Sequence, residues 1–155
     1  MKPSVHVYSS ALLTAAVYAY SRSVPEAASC LVSGVLIDLD HVVDFYLFSE
    51  ERFTLLNFFS WCNDTRWQRI VLVLHSYELF GLLCVVSYYL DSAVLRGILW
   101  GAGLHLLLDQ IGNTRTYGLS PWFYLMGYRF AKGFRRDKLQ VSSSHDQSRE
   151  NKQEI

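Results

Sequence analysis

Most of the histidines and several carboxylates of this chain sit inside otherwise apolar stretches, in four short clusters. These are Val5-His6-Val7-Tyr8, Ile37-Asp38-Leu39-Asp40-His41-Val42-Val43-Asp44, Leu74-His75-Ser76-Tyr77-Glu78 and His105-Leu106-Leu107-Leu108-Asp109. A titratable group in an apolar helix is costly unless paired or coordinated, so such residues point to function before they point to packing. On a helix, Asp38 with His41 and His41 with Asp44 are three residues apart, while Asp40 with Asp44 and His105 with Asp109 are four apart. Each set can turn two donors to one side. Imidazoles and carboxylates drawn from different helices are how bundles build metal centres. A mixed nitrogen and oxygen set suits a divalent transition metal, Zn, Mn or Fe, as one ion or as a pair. His6, Asp40, His41, His75, His105 and Asp109 are the expected ligands. A network of buried ion pairs without metal is the competing use of the same residues.

The elements that must position these groups are read from the apolar stretches Val5 to Tyr20, Ala27 to Val43, Ile70 to Leu90 and Ala93 to Leu108. Each approaches the ~17–25 residues that cross a bilayer as a helix. Ser21 to Glu26 joins the first two and Asp91-Ser92 the last two, with Ser92 placed to cap the fourth helix. The fold class expected is therefore all-α, a four-helix transmembrane bundle of two helical hairpins. Two interfacial segments accompany it: Ser49 to Arg69, which carries Phe53, Phe58, Phe59, Trp61 and Trp67, and Pro121-Trp122-Phe123-Tyr124. Residues 1–130 form the bundle with its site, and residues 131–155 a basic, then polar, disordered cytoplasmic tail. A soluble bundle with buried helices is the alternative. In an up-down-up-down arrangement the starts of the first and third helices and the ends of the second and fourth share one face, which gathers all four clusters.

Composition narrows the classes. The chain has 155 residues, 51% hydrophobic and only 18% charged, with 14 Lys plus Arg balancing 14 Asp plus Glu. That length fits one domain, and zero net charge argues against nucleic acid as a partner. Cys30, Cys62 and Cys84 form no CxxC pair, so reduced, buried thiols are expected. Most Lys and Arg fall at the N-terminus, in the 49–69 connection and after Arg115, against Arg22 and Arg96 on the other side. By the positive-inside rule both termini face the cytoplasm and the protein is multi-pass in the membrane. The bulky residues of Tyr18-Ala19-Tyr20 give no signal-peptidase site, so the first helix is retained.

A shift of 69 residues aligns His6-Val7-Tyr8 with His75-Ser76-Tyr77, Gly34 with Gly103 and Asp40 with Asp109. If this is a duplicated hairpin, His6, Asp40, His75 and Asp109 become equivalent ligands in a pseudo-twofold pair.

The order of an early His, then Asp38-Leu39-Asp40-His41, His75-Ser76, and His105-Leu106-Leu107-Leu108-Asp109 followed by Thr114, Gly118 and Pro121 resembles the bacterial predicted membrane-bound metal-dependent hydrolases of the inner membrane. The resemblance covers His6 to Trp122. Ile37 stands where that family has Pro, and Ile70 and Leu74 where it has the first His and the Thr of its third motif. The resemblance implies metal binding in the inner membrane, with hydrolysis the activity inferred for that family, and a site at the cytoplasmic face would suit an amphiphilic phosphoester substrate such as a phospholipid or lipid-linked phosphate. In such a hydrolase Asp38 or Asp40 could serve as general base, the repeat favouring Asp38 as base or as orienter of a metal-bound His, and Arg115 is available for a phosphate. A non-enzymatic metal-binding or structural membrane protein is the alternative.

Overall fold

The computed structural model describes residues 3–63 and 67–140 and is mostly helical, with two isolated β-bridges and no strand among these residues. Helices α1 (Pro3–Ser21), α2 (Val24–Leu36), α3 (Leu39–Phe48), α4 (Leu55–Asn63), α5 (Tyr77–Leu90), α6 (Ala93–Tyr117), α7 (Met126–Ala131) and α8 (Arg136–Leu139) follow in chain order. Two hairpins, α1–α2 and α5–α6, are present as expected. Ser23 caps α2 by accepting from Glu26 N at 3.3 Å, and Ser92 caps α6 by accepting from Leu95 N at 3.5 Å. Gly118, at φ 61°, ends α6 in the left-handed conformation that an L side chain resists.

The most intimate packing joins α2 to α6. A Cβ on Gly97 would overlap the carbonyl of Glu26 and the hydroxyl of Ser29, and one on Gly101 would overlap Cys30 O and Ser33 Oγ. The Gly97-x-x-x-Gly101 spacing lets the two backbones touch, and Ser33 Oγ donates across the seam to Ile98 O at 3.2 Å. This close approach brings the ends of α2 and α6, with their ionisable clusters, alongside the start of α1.

Two of the four expected helices are interrupted, and both breaks lie at the site. The stretch Ala27 to Val43 is split between α2 and α3 at Ile37-Asp38. There Asp40 N bonds to Ile37 O at 3.2 Å and His41 N to Asp38 O at 3.1 Å, a three-residue step that tightens the turn. The stretch Ile70 to Leu90 becomes helical only at Tyr77, where Ser76 caps α5 by accepting from Leu79 N at 3.0 Å. Residues 70–76 are non-helical because their backbone groups find partners elsewhere, described below. The fourth helix runs beyond Leu108 to Tyr117.

Among the described residues no helix is long and apolar enough to cross a membrane. The transmembrane expectation draws no support from the helices, and the causes are local: α2 and α5 have 13 and 14 residues, and α6 carries Arg96, His105, Asp109 and Asn113. The exterior is nevertheless rich in large apolar side chains, among them Leu12, Tyr20, Leu56, Leu82, Tyr88 and Trp100, while His6, Ser10, Glu26, His75, His105 and Asp109 are buried.

Phe123 and Tyr124, expected as an interfacial anchor, instead turn inward at 2% and 1% exposure, and only Trp122 of that group stays outside. They pack with Ile70, Leu72, Leu106 and Leu139 in the core beneath the site. Residues 132–140 fold back onto the body, with Ser120 N bonded to Leu139 O at 3.0 Å. The rest of the expected disordered tail, 141–155, lies outside the described residues.

Candidate metal centre

Four side chains converge from three parts of the fold: Asp38 at the α2–α3 turn, His75 just before α5, and His105 and Asp109 one turn apart on α6. One donor atom from each lies within 4.8 Å of all the others. The two Nε2 atoms are 3.3 Å apart. Asp38 Oδ1 is 3.3 Å from His105 Nε2 and 3.7 Å from His75 Nε2, and Asp109 Oδ2 is 3.7 and 3.6 Å from the same atoms. Donors about 2.0–2.2 Å from a tetrahedral Zn stand about 3.3–3.6 Å from one another. The cluster has nearly that spacing already.

The imidazoles are oriented by their far nitrogens. His105 Nδ1 donates to Gly34 O at 2.9 Å. His75 Nδ1 donates to Asp40 Oδ2 at 3.3 Å. Each ring therefore keeps a proton on Nδ1 and turns Nε2 inward, where a neutral ring would present its lone pair. Two Nε2 atoms facing one another beside two carboxylates suit a cation between them, whether a proton or a metal. This is the arrangement in which a carboxylate or carbonyl behind a histidine fixes its tautomer for a metal. Asp38, His75, His105 and Asp109 could hold a metal ion.

Without a metal the carboxylates favour protonated rings: burial opposes charge on His105, but Asp109 and Asp38 push it up to about 9, so a metal would bind by displacing the Nε2 protons. Burial works to raise the Asp38 pKa, but hydrogen bonds from His105 and His75 outweigh it and hold the carboxyl well below its usual range. Burial likewise opposes charge on His75, while Asp38 and Asp40 overcome it and raise that pKa.

The remaining expected ligands stand around the cluster. His6 Nε2 donates to Asp109 Oδ1 at 3.0 Å and its ring stacks on His105 at 3.9 Å, so it steadies a ligand rather than acting as one. Asp40 lies behind His75, accepting from the backbone N–H groups of Leu74 and His75 as well as from the ring. The structure thus exchanges the places expected of Asp38 and Asp40. The helical-wheel argument assumed one straight helix, and the turn at Ile37-Asp38 swings Asp38 toward α6. His41 stays outside the cluster, half-buried, with Nε2 3.9 Å from Asp38 Oδ1. The expected equivalence of His6 with His75 does not hold either, since His6 lies within α1 and His75 on non-helical chain.

Arg129 is the residue that sequence reading missed. It is fully buried on α7, with Nη1 donating to Leu72 O at 3.0 Å and Nη2 to His75 O at 2.9 Å. Asp44 Oδ2 accepts from Val71 N at 2.8 Å, and Tyr124 O accepts from Tyr77 N at 2.9 Å. Asp40, Asp44 and Arg129 together replace the helix that residues 70–76 forgo. They also hold Leu72 at φ 45°, a left-handed conformation costing of order 1–3 kcal/mol for such a residue. Burial pushes the Asp44 carboxyl up to about 6. Nothing in a run of basic residues distinguishes a buried Arg from solvated ones.

The cluster opens on a cavity of about 350 Å³. Asp38, Asp109 and His41 supply its polar wall, and Phe58, Trp61, Ile70, Leu72 and Phe123 much of its apolar wall. Arg69 also lines it, whereas Arg115, expected to meet a phosphate, is exposed and absent from its walls. Fold and site together define an all-α protein with a four-residue candidate metal centre beside an apolar cavity. Comparison with protein-family models, curated proteins and solved structures gave no match.

Proposed function

We propose that the protein is a metal-dependent hydrolase of the bacterial inner membrane, acting at the cytoplasmic face on the ester of an amphiphile. The observation that carries this reading is the convergence of two pre-oriented imidazoles and two carboxylates at the wall of an apolar cavity. Asp38, His75, His105 and Asp109 would hold Zn, Mn or Fe. Such an ion supplies Lewis acidity and an activated water at neutral pH.

The chain's own residues do the rest. Asp38, at 33% side-chain exposure, leaves the centre open on the cavity side, whereas His75 is completely enclosed. His41 lines the same cavity beside Asp38 and is placed to take and return a proton. The aromatic and aliphatic walls exclude water and receive an apolar chain. Membrane seating is supported by the many large apolar side chains left exposed while several ionisable ones are buried, and by the small-residue seam between α2 and α6.

The test is metal analysis of the full chain purified in a neutral detergent, followed by a panel of phosphomonoesters and phosphodiesters with and without acyl chains. About one equivalent of transition metal is expected for a four-donor set. Turnover should favour acylated esters, and His41→Gln should keep the metal while losing turnover. Bound metal with no turnover would favour the structural, non-enzymatic alternative, and metal-free protein would refute both.

A further inference from the structure

A second hollow, of about 610 Å³, lies beside the first and shares Trp67 and Arg69 with it. Its other walls are Gln68, Arg135, Arg136, Asp137 and Gln140. The backbone explains why these residues meet. Ile70 N donates to Phe134 O at 2.9 Å and Arg136 N to Gln68 O at 3.0 Å, which makes Arg69 and Arg135 an isolated antiparallel pair. The bonds flank the pair rather than joining it, so this is the closer of the two antiparallel pair types.

Like charges directly opposite one another at that position repel. Asp137 relieves only Arg135, by a forked pair at 2.9 and 3.1 Å. The Arg69 guanidinium makes no hydrogen bond or ion pair among the described residues. Arg136 lies over the Trp67 ring at 5.1 Å, which sets a third guanidinium at the same rim. Among the described residues that line it, three guanidinium groups meet one carboxylate, in a hollow that adjoins an apolar cavity at Trp67 and Arg69. Planar, forked donors of this kind match the oxygens of a phosphate.

We infer that Arg69, Arg135 and Arg136, over Trp67, form a binding site for a phosphate-class oxyanion, and that the anion is the charged group of an amphiphile whose apolar chain lies in the neighbouring cavity. The anion site stands on these residues alone. Only the role of its occupant as substrate rests on the hydrolase reading above. Arg69, which borders both hollows, is the residue on which the two halves of the ligand meet.

Calorimetric titration of the full-length protein in a neutral detergent tests this with three probes: inorganic phosphate, hexyl phosphate and hexanol. Hexyl phosphate should bind at least about tenfold more tightly than either of the others, since it alone offers both the charge and the buried methylenes. Arg69→Gln should weaken hexyl phosphate by about tenfold, the usual scale for one charged hydrogen-bonding group, and Arg135→Gln should also weaken it. Metal content should stay unchanged in both. Asp38→Asn should keep hexyl phosphate binding while losing metal, which separates this site from the metal centre. Equal affinity for inorganic and hexyl phosphate would overturn the amphiphile assignment. Unchanged hexyl phosphate affinity in both arginine variants would overturn the site itself, whatever the metal analysis gives.

Discussion

The exchange of places between Asp38 and Asp40 gives the sharpest test of the centre. Asp40→Asn removes a charge but not an acceptor. The amide oxygen can still receive Leu74 N and His75 N, while the bond from His75 Nδ1 loses its charged partner. Charged hydrogen bonds are about twice as strong as neutral ones, and outer partners of metal-bound histidines are generally worth about 10- to 100-fold in affinity, or about 1.4–2.8 kcal/mol. Because the acceptor survives, Asp40→Asn is expected at the lower end, near tenfold. Asp38→Asn takes away one of only two anionic donors, 3.3 Å from His105 Nε2, and leaves the imidazoles facing a neutral amide. Its loss should exceed the ~100-fold upper bound for an outer partner. Competition against a chromophoric chelator, read as free Zn at equilibrium, measures both. If Asp40→Asn strips the metal while Asp38→Asn retains it, the geometry of the centre is wrong and the straight-helix assignment is right.

Arg129→Met should leave the carbonyls of Leu72 and His75 buried without donors, at about 1–3 kcal/mol each, and should lower the melting temperature and metal affinity together, although it removes no ligand. Metal affinity at the wild-type value would show that residues 70–76 hold their shape unaided. Asp44 has a folded pKa of about 6 against 3.8 for the free group, so its ionisation opposes folding as pH rises through that window, and the penalty is complete above pH 6. Asp44→Asn, which can keep the Val71 N acceptor, should therefore stabilise the protein by about 2–3 kcal/mol at pH 8, with the gain gone by pH 3.8; thermal unfolding at the two pH values reads it, and a pH-independent change would be fatal to the argument. Gly101→Val should force α2 and α6 apart, since its side chain meets the Cys30 carbonyl, and should weaken metal binding one turn away at His105. A variant with normal metal affinity and melting temperature would mean the seam is slacker than it looks.

The helical class, both hairpins, the cap at Ser92 and three of the four converging residues were legible from sequence, because apolar periodicity and capping chemistry are local signals. Arg129, the inward turn of Phe123 and Tyr124, and the roles of Asp38 and Asp40 were not. Each depends on a partner far along the chain: Asp40 on Leu74 and His75, Arg129 on Leu72 and His75. The apolar run from Ile70 to Leu90 reads as one helix because its side chains suit one. Its first residues leave that conformation since Asp40, Asp44, Phe134 and Arg129 satisfy their backbone better than the helix would. Ser76, followed by Tyr77-Glu78-Leu79, is the capping signal that marked the true start of α5.

The buried fork of Arg129 also sets an order of events. His75 is joined through its own carbonyl to a residue 54 positions later, and Leu72 to the same residue 57 positions later. A ribosome that has released only the first two hairpins has emitted all four candidate metal donors, yet the stretch carrying His75 is then held by Asp40 and Asp44 without the Arg129 fork. Ligation at full strength therefore waits for α7, and nascent chains or fragments ending before it would compete poorly for scarce metal. The fold would thereby tie metal occupancy to the presence of α7.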